Sequence, residues 1–162
     1  MNVSVQIGDL GKFQVRVAGV IILDNKILLA KVDGNENYQV IGGRLGFGET
    51  TEEAVVREVA KEELKRKCTV ERLLFINENF FTFKKTQENC HEICYYYLMK
   101  PSFPITTTPP PVKESYGMVN FEWVELSKLK DIVLFPEFLK KELQTLPSAP
   151  KVVVTKGTGK EA

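Results

Sequence analysis

Residues 42–65 read GGRLGFGETTEEAVVREVAKEELK, and this is where the chain concentrates its reactive groups. Six glutamates (Glu49, Glu52, Glu53, Glu58, Glu62 and Glu63) stand against only Arg57 and Lys61 between positions 49 and 63. On an ideal helix, at about 100° per residue, Glu58 and Glu62 share a stripe with Ala54, Arg57 and Lys61, while Val55, Val56, Val59 and Ala60 take the opposite side. Two carboxylates at i and i+4 repel each other. Their pairing makes chemical sense around a hard cation: Mg²⁺ prefers oxygen ligands, keeps several waters and is shared with substrate phosphates. The ordinary reading of such a run is a solvated face whose glutamates pair with Lys61 and Lys65. The preceding loop shifts the balance. Gly42, Gly43, Gly46 and Gly48 let the backbone approach a ligand closely, and they feed straight into the start of the carboxylate-lined helix.

The segment resembles the Nudix box, GX5EX7REUXEEXGU, in which U is a bulky aliphatic residue. Gly43 matches the first glycine, Glu49 follows after five residues, Arg57-Glu58 after seven more, and Val59 fits the aliphatic position. Outside the box the likeness is general and extends over about residues 10–145. Two frames are open beyond Val59. Without a gap, the next family glutamates fall on Lys61 and Glu62, and Leu64 replaces the late glycine. With one extra helical residue, Glu62-Glu63-Leu64 answers to E-E-X and Lys65 takes the glycine position. Helix geometry favours the second frame, because a one-residue π-bulge returns Leu64 to the apolar face and turns Glu62 and Glu63 toward the metal. Glu62 is a ligand candidate in either frame, Glu63 only in the second, and Lys61 in neither. Ile41 also departs from the proline that many relatives carry before the two glycines.

The resemblance implies a hydrolase that cleaves a diphosphate linkage in a nucleoside diphosphate derivative with Mg²⁺, or alternatively Mn²⁺. It implies Glu58, Glu62 and, conditionally, Glu63 as metal ligands, Glu49 paired with Arg57 to orient the box, and a metal-facing backbone carbonyl around Gly42 and Gly43. The alternative for Arg57 is an ordinary helix-surface pair; both can hold. A downstream glutamate assists the water or the metal in several relatives, and here Glu114 is the positional candidate, with Glu92 as runner-up and a solvated loop residue as the alternative. Lys61 within the cluster motivates a second reading, a catalytically weakened Nudix-like domain that binds a nucleotide. A structural interaction protein that docks through its Pro-rich loop or tail is the third. Dimers are common among relatives, so a homodimer is expected by analogy only. Nothing in the sequence diagnoses the nucleoside diphosphate derivative.

These groups need a scaffold. Thr50 and Glu53 have the spacing of a capping box, predicting a helix over 51–65. In 13–23 (FQVRVAGVIIL), Phe13, Val15 and Val17 alternate with Gln14 and Arg16, so a strand becomes buried on both faces. Asp24-Asn25-Lys26 is a turn, 27–32 a second strand and 38–41 a short one. Strands are predicted at 68–77, 91–99 and 119–125, and a helical turn at 127–130. A last helix is predicted over 136–144, with Pro136 in its first turn. Pro101–Gly117 is a long, stiff loop. The family likeness implies an α/β Nudix fold, an α/β/α sandwich with a central mixed β-sheet. We expect one domain over 1–145 and a flexible tail over 146–162.

Arg16 and Lys31 precede the box and could meet phosphates, though an exposed strand position explains each as well. His91 is expected to be structural, and Phe80, Phe81 and Tyr95–Tyr97 to be core, with one of them free to stack on a base.

The chain has 162 residues and a formal net charge of +1, which argues against a general binder of nucleic acid polymers. No apolar run approaches the roughly 20 residues needed to span a bilayer, so no membrane partner is expected. The first dozen residues lack a secretion signal, and three cysteines make a poor disulfide framework, so a reducing, cytoplasmic setting is expected. Cys90, His91 and Cys94 lack a second ligand pair for zinc and read as packing residues.

Overall fold

The computed structural model describes residues 1–158; positions 159–162 of the expected tail lie outside the described residues. Strand β1 (Ser4–Ile7) pairs with β2 (Gly11–Leu23), the longest apolar run in the first half of the chain. Asp24 and Asn25 both take left-handed backbone (φ 45° and 60°), which polar Asx residues tolerate, and turn the chain into β3 (Lys26–Val32). Two short strands follow, β4 (Tyr38–Gln39) and β5 (Ile41–Arg44). Helix α1 (Thr51–Val55) continues into a wider π-helical segment, Val56–Glu63. Then come β6 (Cys68–Thr82), β7 (Asn89–Pro101), β8 (Val112–Glu114) and β9 (Gly117–Glu125). A 3₁₀ turn (Leu126–Asp131), β10 (Leu134–Phe135), α2 (Leu139–Glu142) and β11 (Lys151–Thr158) complete the chain.

The strands form one mixed sheet, with the order β10-β4-β3-β2-β7-β6-β11 along its spine. Strand β2 is the hinge of this arrangement. Over Lys12–Ile21 it runs parallel to β7, its Arg16–Gly19 stretch also pairs antiparallel with β5, and its last residues form the hairpin with β3. Strand β3 pairs antiparallel with β9. Alternation along β2 divides the core into two layers. Val17 and Ile21 pack with Ala54, Val55, Val59 and Leu64 under the box helix, while Ala18 and Val20 pack with Phe75, Tyr96, Leu129 and Leu139 on the other face. Helical segments therefore cover both faces of a mixed sheet, the α/β/α layering that the sequence implied. No helix among the described residues is long and apolar enough to cross a membrane.

Four expectations need correction. The loop expected over Pro101–Gly117 contains strand β8, which pairs antiparallel with β9. The strands predicted at 68–77 and 91–99 run further, to Thr82 and from Asn89, because their polar residues are paired across the hairpin; Thr82 Oγ1 donates to Asn89 Oδ1 at 2.9 Å. The helix predicted over 136–144 narrows to α2, since most flanking bonds are of the tighter i→i−3 kind, as from Lys140 N to Glu137 O. The tail expected to be flexible contributes β11, which pairs in parallel with β6 from Lys151–Phe75 to Thr158–Thr82. Its backbone satisfies the free edge of β6, and Arg72 Nη1 secures the approach by donating to Pro147 O at 2.6 Å.

Candidate active site

The loop before α1 is shaped by its own backbone. Gly42 and Gly43 lie in β5 against β2, and a Cβ on Gly43 would collide with the Glu58 carboxylate. Gly48 turns the chain with φ 86°. Glu49 then folds back: its Oε2 accepts from Gly46 N at 2.8 Å. Thr50 caps α1 as its spacing required, with Glu53 N donating to Thr50 Oγ1 at 3.2 Å and Thr50 N donating to Glu53 Oε2 at 2.9 Å.

Arg57 ties loop to helix. Its Nε and Nη2 grip both oxygens of Glu49, at 2.6 and 2.8 Å. Nη2 also donates to Arg44 O at 3.0 Å, and Nη1 donates to Glu58 Oε1 at 2.7 Å and Glu62 Oε1 at 3.0 Å. The two-pronged bond from Arg57, helped by Gly46 N, holds the Glu49 carboxyl down at about 2. The same bonds push the Arg57 guanidinium further above its ordinary range.

Beyond Val59 the chain takes the wider turn. Leu64 N donates to Val59 O at 2.9 Å, an i→i−5 bond, and Leu64 is buried to 1% exposure. Lys65 follows with φ 49°, the left-handed conformation for which glycine is the usual residue at a helix end. Lys65 is the residue that the one-insertion frame aligns with the family glycine, so backbone and sequence frame agree. Lys61 projects instead into a surface groove shared with Glu52, Glu53 and Lys65.

The π turn carries Glu63 into a half-buried position. Burial pushes its carboxyl up to about 7, and repulsion from Glu114, Glu58 and Glu62 adds to that, with Arg16 pulling the other way. Glu114, on β8, therefore stands with the box carboxylates. Burial also raises the Tyr116 phenol, with Glu63 and Glu114 adding to the rise. Glu62 is over half exposed at its side chain, and Glu58 is largely covered.

Glu63 opens on a cleft of about 350 Å³ that Gly42, Arg16, Arg44, Tyr116 and Phe81 also line. Arg16 is no ordinary exposed strand residue. Burial works against its charge, but Glu92, Cys94, Tyr96 and Glu58 together raise its pKa, so it stays cationic between Glu92 and the box. Glu92 is 1% exposed and lines the cleft, in whose lining Glu62 has no part. Lys31 lies with its Nζ 4.8 Å from the Tyr38 ring centre. His91 stacks on Phe80 at 4.3 Å and lines a separate, mainly apolar cavity of about 560 Å³ that holds no carboxylate. The three cysteines are buried thiols.

Among the described residues no three His, Cys, Asp or Glu side chains are already drawn together as a metal cage. The donor set still fits a hard cation. It is all oxygen, its negative charge is crowded enough to raise Glu63, and Mg²⁺ needs only one or two carboxylates besides substrate and water. Arg44, Gln14, Asn79 and Tyr116 were not singled out from the sequence. Gln14 was legible only as the partner of Arg16 in the alternation of β2, and nothing in a single sequence marks the other three.

Among solved structures, the chain is similar to a mutator MutT protein from Bacillus halodurans (TM-score 0.60, 13% identity, 90% of this chain and 89% of that one). It is similar to an ADP-ribose pyrophosphatase from Streptococcus suis 89-1591 (TM-score 0.57, 16% identity, 86% and 98%). It is also similar to a UDP-X diphosphatase (TM-score 0.57, 19% identity), where it covers 81% of itself and 59% of that longer chain. At these identities the likeness is one of fold. A search of curated proteins returns no significant match. The NUDIX domain profile matches residues 13–145, the region holding the box, the cleft and both core layers, and the chain belongs to the NUDIX family.

Proposed function

We propose that this protein is a Mg²⁺-dependent hydrolase that cleaves a diphosphate linkage in a nucleoside diphosphate derivative. One observation carries the reading: Glu63 is half-buried among Glu58, Glu62 and Glu114 and faces Arg16 across the same cleft. Carboxylates and cations alternate there as a cation-bridged diphosphate requires. Glu58, Glu62 and Glu63 would hold the metal, with Mn²⁺ as the alternative ion, and Glu114 would assist. When bound, the metal neutralises phosphate charge and lowers the pKa of a coordinated water.

The chain's own groups do the rest. Arg57 holds Glu58 and Glu62 in one orientation through a single nitrogen and fixes the loop through Glu49. The absence of a side chain at Gly43 leaves room for the Glu58 carboxylate. Arg16 and Arg44 bind and orient phosphate oxygens along the cleft. Without a cation, burial and the neighbouring carboxylates hold Glu63 at about 7, and a bound cation would draw it into the ionised form that a ligand needs. Lys61 lines another groove, which supports the hydrolase reading over a weakened binding domain. Buried cysteine thiols suit a reducing compartment such as the cytoplasm.

The test is a panel of nucleoside diphosphate compounds incubated with and without Mg²⁺, with released phosphate read after phosphatase coupling. Metal-dependent turnover that Glu58→Gln and Glu63→Gln abolish supports the reading. No turnover across the panel, from protein that binds nucleotides tightly, overturns it.

A further inference from the structure

Four polar or charged side chains are buried among the described residues: Gln14, Asn77, Asn79 and Glu92. Three of them form a row across adjacent strands. Gln14 on β2 pairs with Glu92 on β7, Glu92 with Asn79 on β6, and Asn79 with Thr155 on β11. The side chains follow the same order. Gln14 Nε2 donates to Glu92 Oε2 at 2.6 Å, Asn79 Nδ2 donates to Glu92 Oε1 at 3.5 Å, and Thr155 Oγ1 donates to Asn79 Oδ1 at 2.8 Å.

The chemistry of this row leaves one atom over. An ionised carboxylate only accepts, so Gln14 must offer it the amide nitrogen. That pins the amide and leaves Oε1 as its spare acceptor. Gln14 is 2% exposed, and its Oε1 has no hydrogen-bond partner. Gln14 and Glu92 line the same cleft as Glu63, at an end shared with Phe81 and Phe83, whose rings meet edge to face at 4.9 Å. The other unpartnered buried atom, Asn77 Oδ1, does not line the cleft. Along the cleft the order is thus carboxylates, then Arg16, then a pinned acceptor beside aromatic rings. A nucleotide has the same order: phosphates, sugar, flat base with a polar edge.

We propose that this end of the cleft is the nucleobase subsite, and that Gln14 Oε1 accepts a hydrogen bond from the exocyclic amino group of the base. The assignment rests on the nucleotide reading above and adds to it a substrate class, derivatives of amino-bearing bases. A base with a carbonyl at that position would bring two acceptors face to face. The amide cannot turn over to accommodate it, because its nitrogen is committed to Glu92. A site built to pair one polar group rejects an analogue lacking the partner strongly.

The experiment is titration calorimetry of the full chain with Mg²⁺ against five nucleoside monophosphates. They form three pairs differing in one amino group: CMP with UMP, AMP with IMP, and GMP with IMP. The expected result is a preference for the amino member of about fivefold or more in at least one pair. Ratios below about fivefold in all three pairs overturn the proposal, as does absence of binding by all five at millimolar concentration. Gln14→Leu is expected to bring the discriminating ratio close to one, and a ratio that survives the substitution also overturns the proposal. The wild-type ratios decide even if the variant does not fold. Metal-dependent hydrolysis without base discrimination removes the subsite alone, and base discrimination without hydrolysis removes the hydrolase reading alone.

Discussion

Replacing Glu63 by glutamine should change how the stability of the metal-free protein depends on pH. In the folded chain the Glu63 carboxyl is raised from an ordinary 4.5 to about 7, by burial first and by Glu114, Glu58 and Glu62 after it. Between those two pH values the folded state binds a proton that the unfolded state has released. Stability therefore falls as pH rises through the window, the opposite of a salt-bridged carboxylate. At about 1.4 kcal/mol per pH unit the full interval would amount to some 3 kcal/mol. Glu63 keeps solvent contact, and screening reduces the figure to about 1–2 kcal/mol. The assay is urea unfolding in EDTA at pH 5 and pH 7.5. The wild type should lose about 1–2 kcal/mol more than Glu63→Gln between the two. Saturating Mg²⁺ at pH 7.5 should restore the wild type by about 3 kcal/mol at a hundredfold excess over Kd, and the variant by less. Parallel pH profiles for the two proteins in EDTA would show that Glu63 is not held in the crowded, half-buried setting described, and the reasoning would fail.

Other expectations follow from the same geometry. Glu49→Gln should flatten the acid limb of the stability curve, because a carboxyl held at about 2 contributes stability that is lost as pH falls from 4.5 through 2; acid titration followed by circular dichroism reads this. Gly43→Ala should leave the fold intact yet displace Glu58, weakening Mn²⁺ binding about tenfold or more as read by electron paramagnetic resonance. Lys65→Gly should stabilise the protein by up to about 1 kcal/mol in urea by relieving the left-handed backbone, and no gain would contradict the helix ending described. Thr155→Val should cost about 1–3 kcal/mol, since Asn79 Oδ1 then loses its donor in a buried setting.

The sequence made the box and its support legible because those signals are local. A capping box, a glycine run and a five-and-seven spacing need no knowledge of distant residues, and Thr50, Glu53, Glu49 and Arg57 hold the contacts their spacing suggested. The π turn was legible for a related reason: only an extra residue puts both Leu64 and Glu63 on sensible sides, and the i→i−5 bond supplies it. The far end of the cleft was not legible. Gln14, Glu92 and Asn79 meet through strand pairings that join residues 14, 92 and 79, and no local pattern encodes that register. The polar face of β2 looked outward by composition and is inward by topology. Strand β11 escaped notice because prolines and glycines in 146–162 suggest a loose end, whereas its valines find a partner in β6.

Strand β11 also imposes an order of assembly. Protein synthesis is vectorial, and β6 leaves the ribosome well before residues 151–158 are made. During that interval Asn77 lacks Val153 O and Thr155 Oγ1, Asn79 lacks Thr155 Oγ1, and the edge of β6 is open. Until then water alone meets the edge of β6, beside the strands that hold Glu92 and Gln14. Arrival of β11 closes that edge from the outside and gives Asn79, which bonds Glu92, its own donor in Thr155.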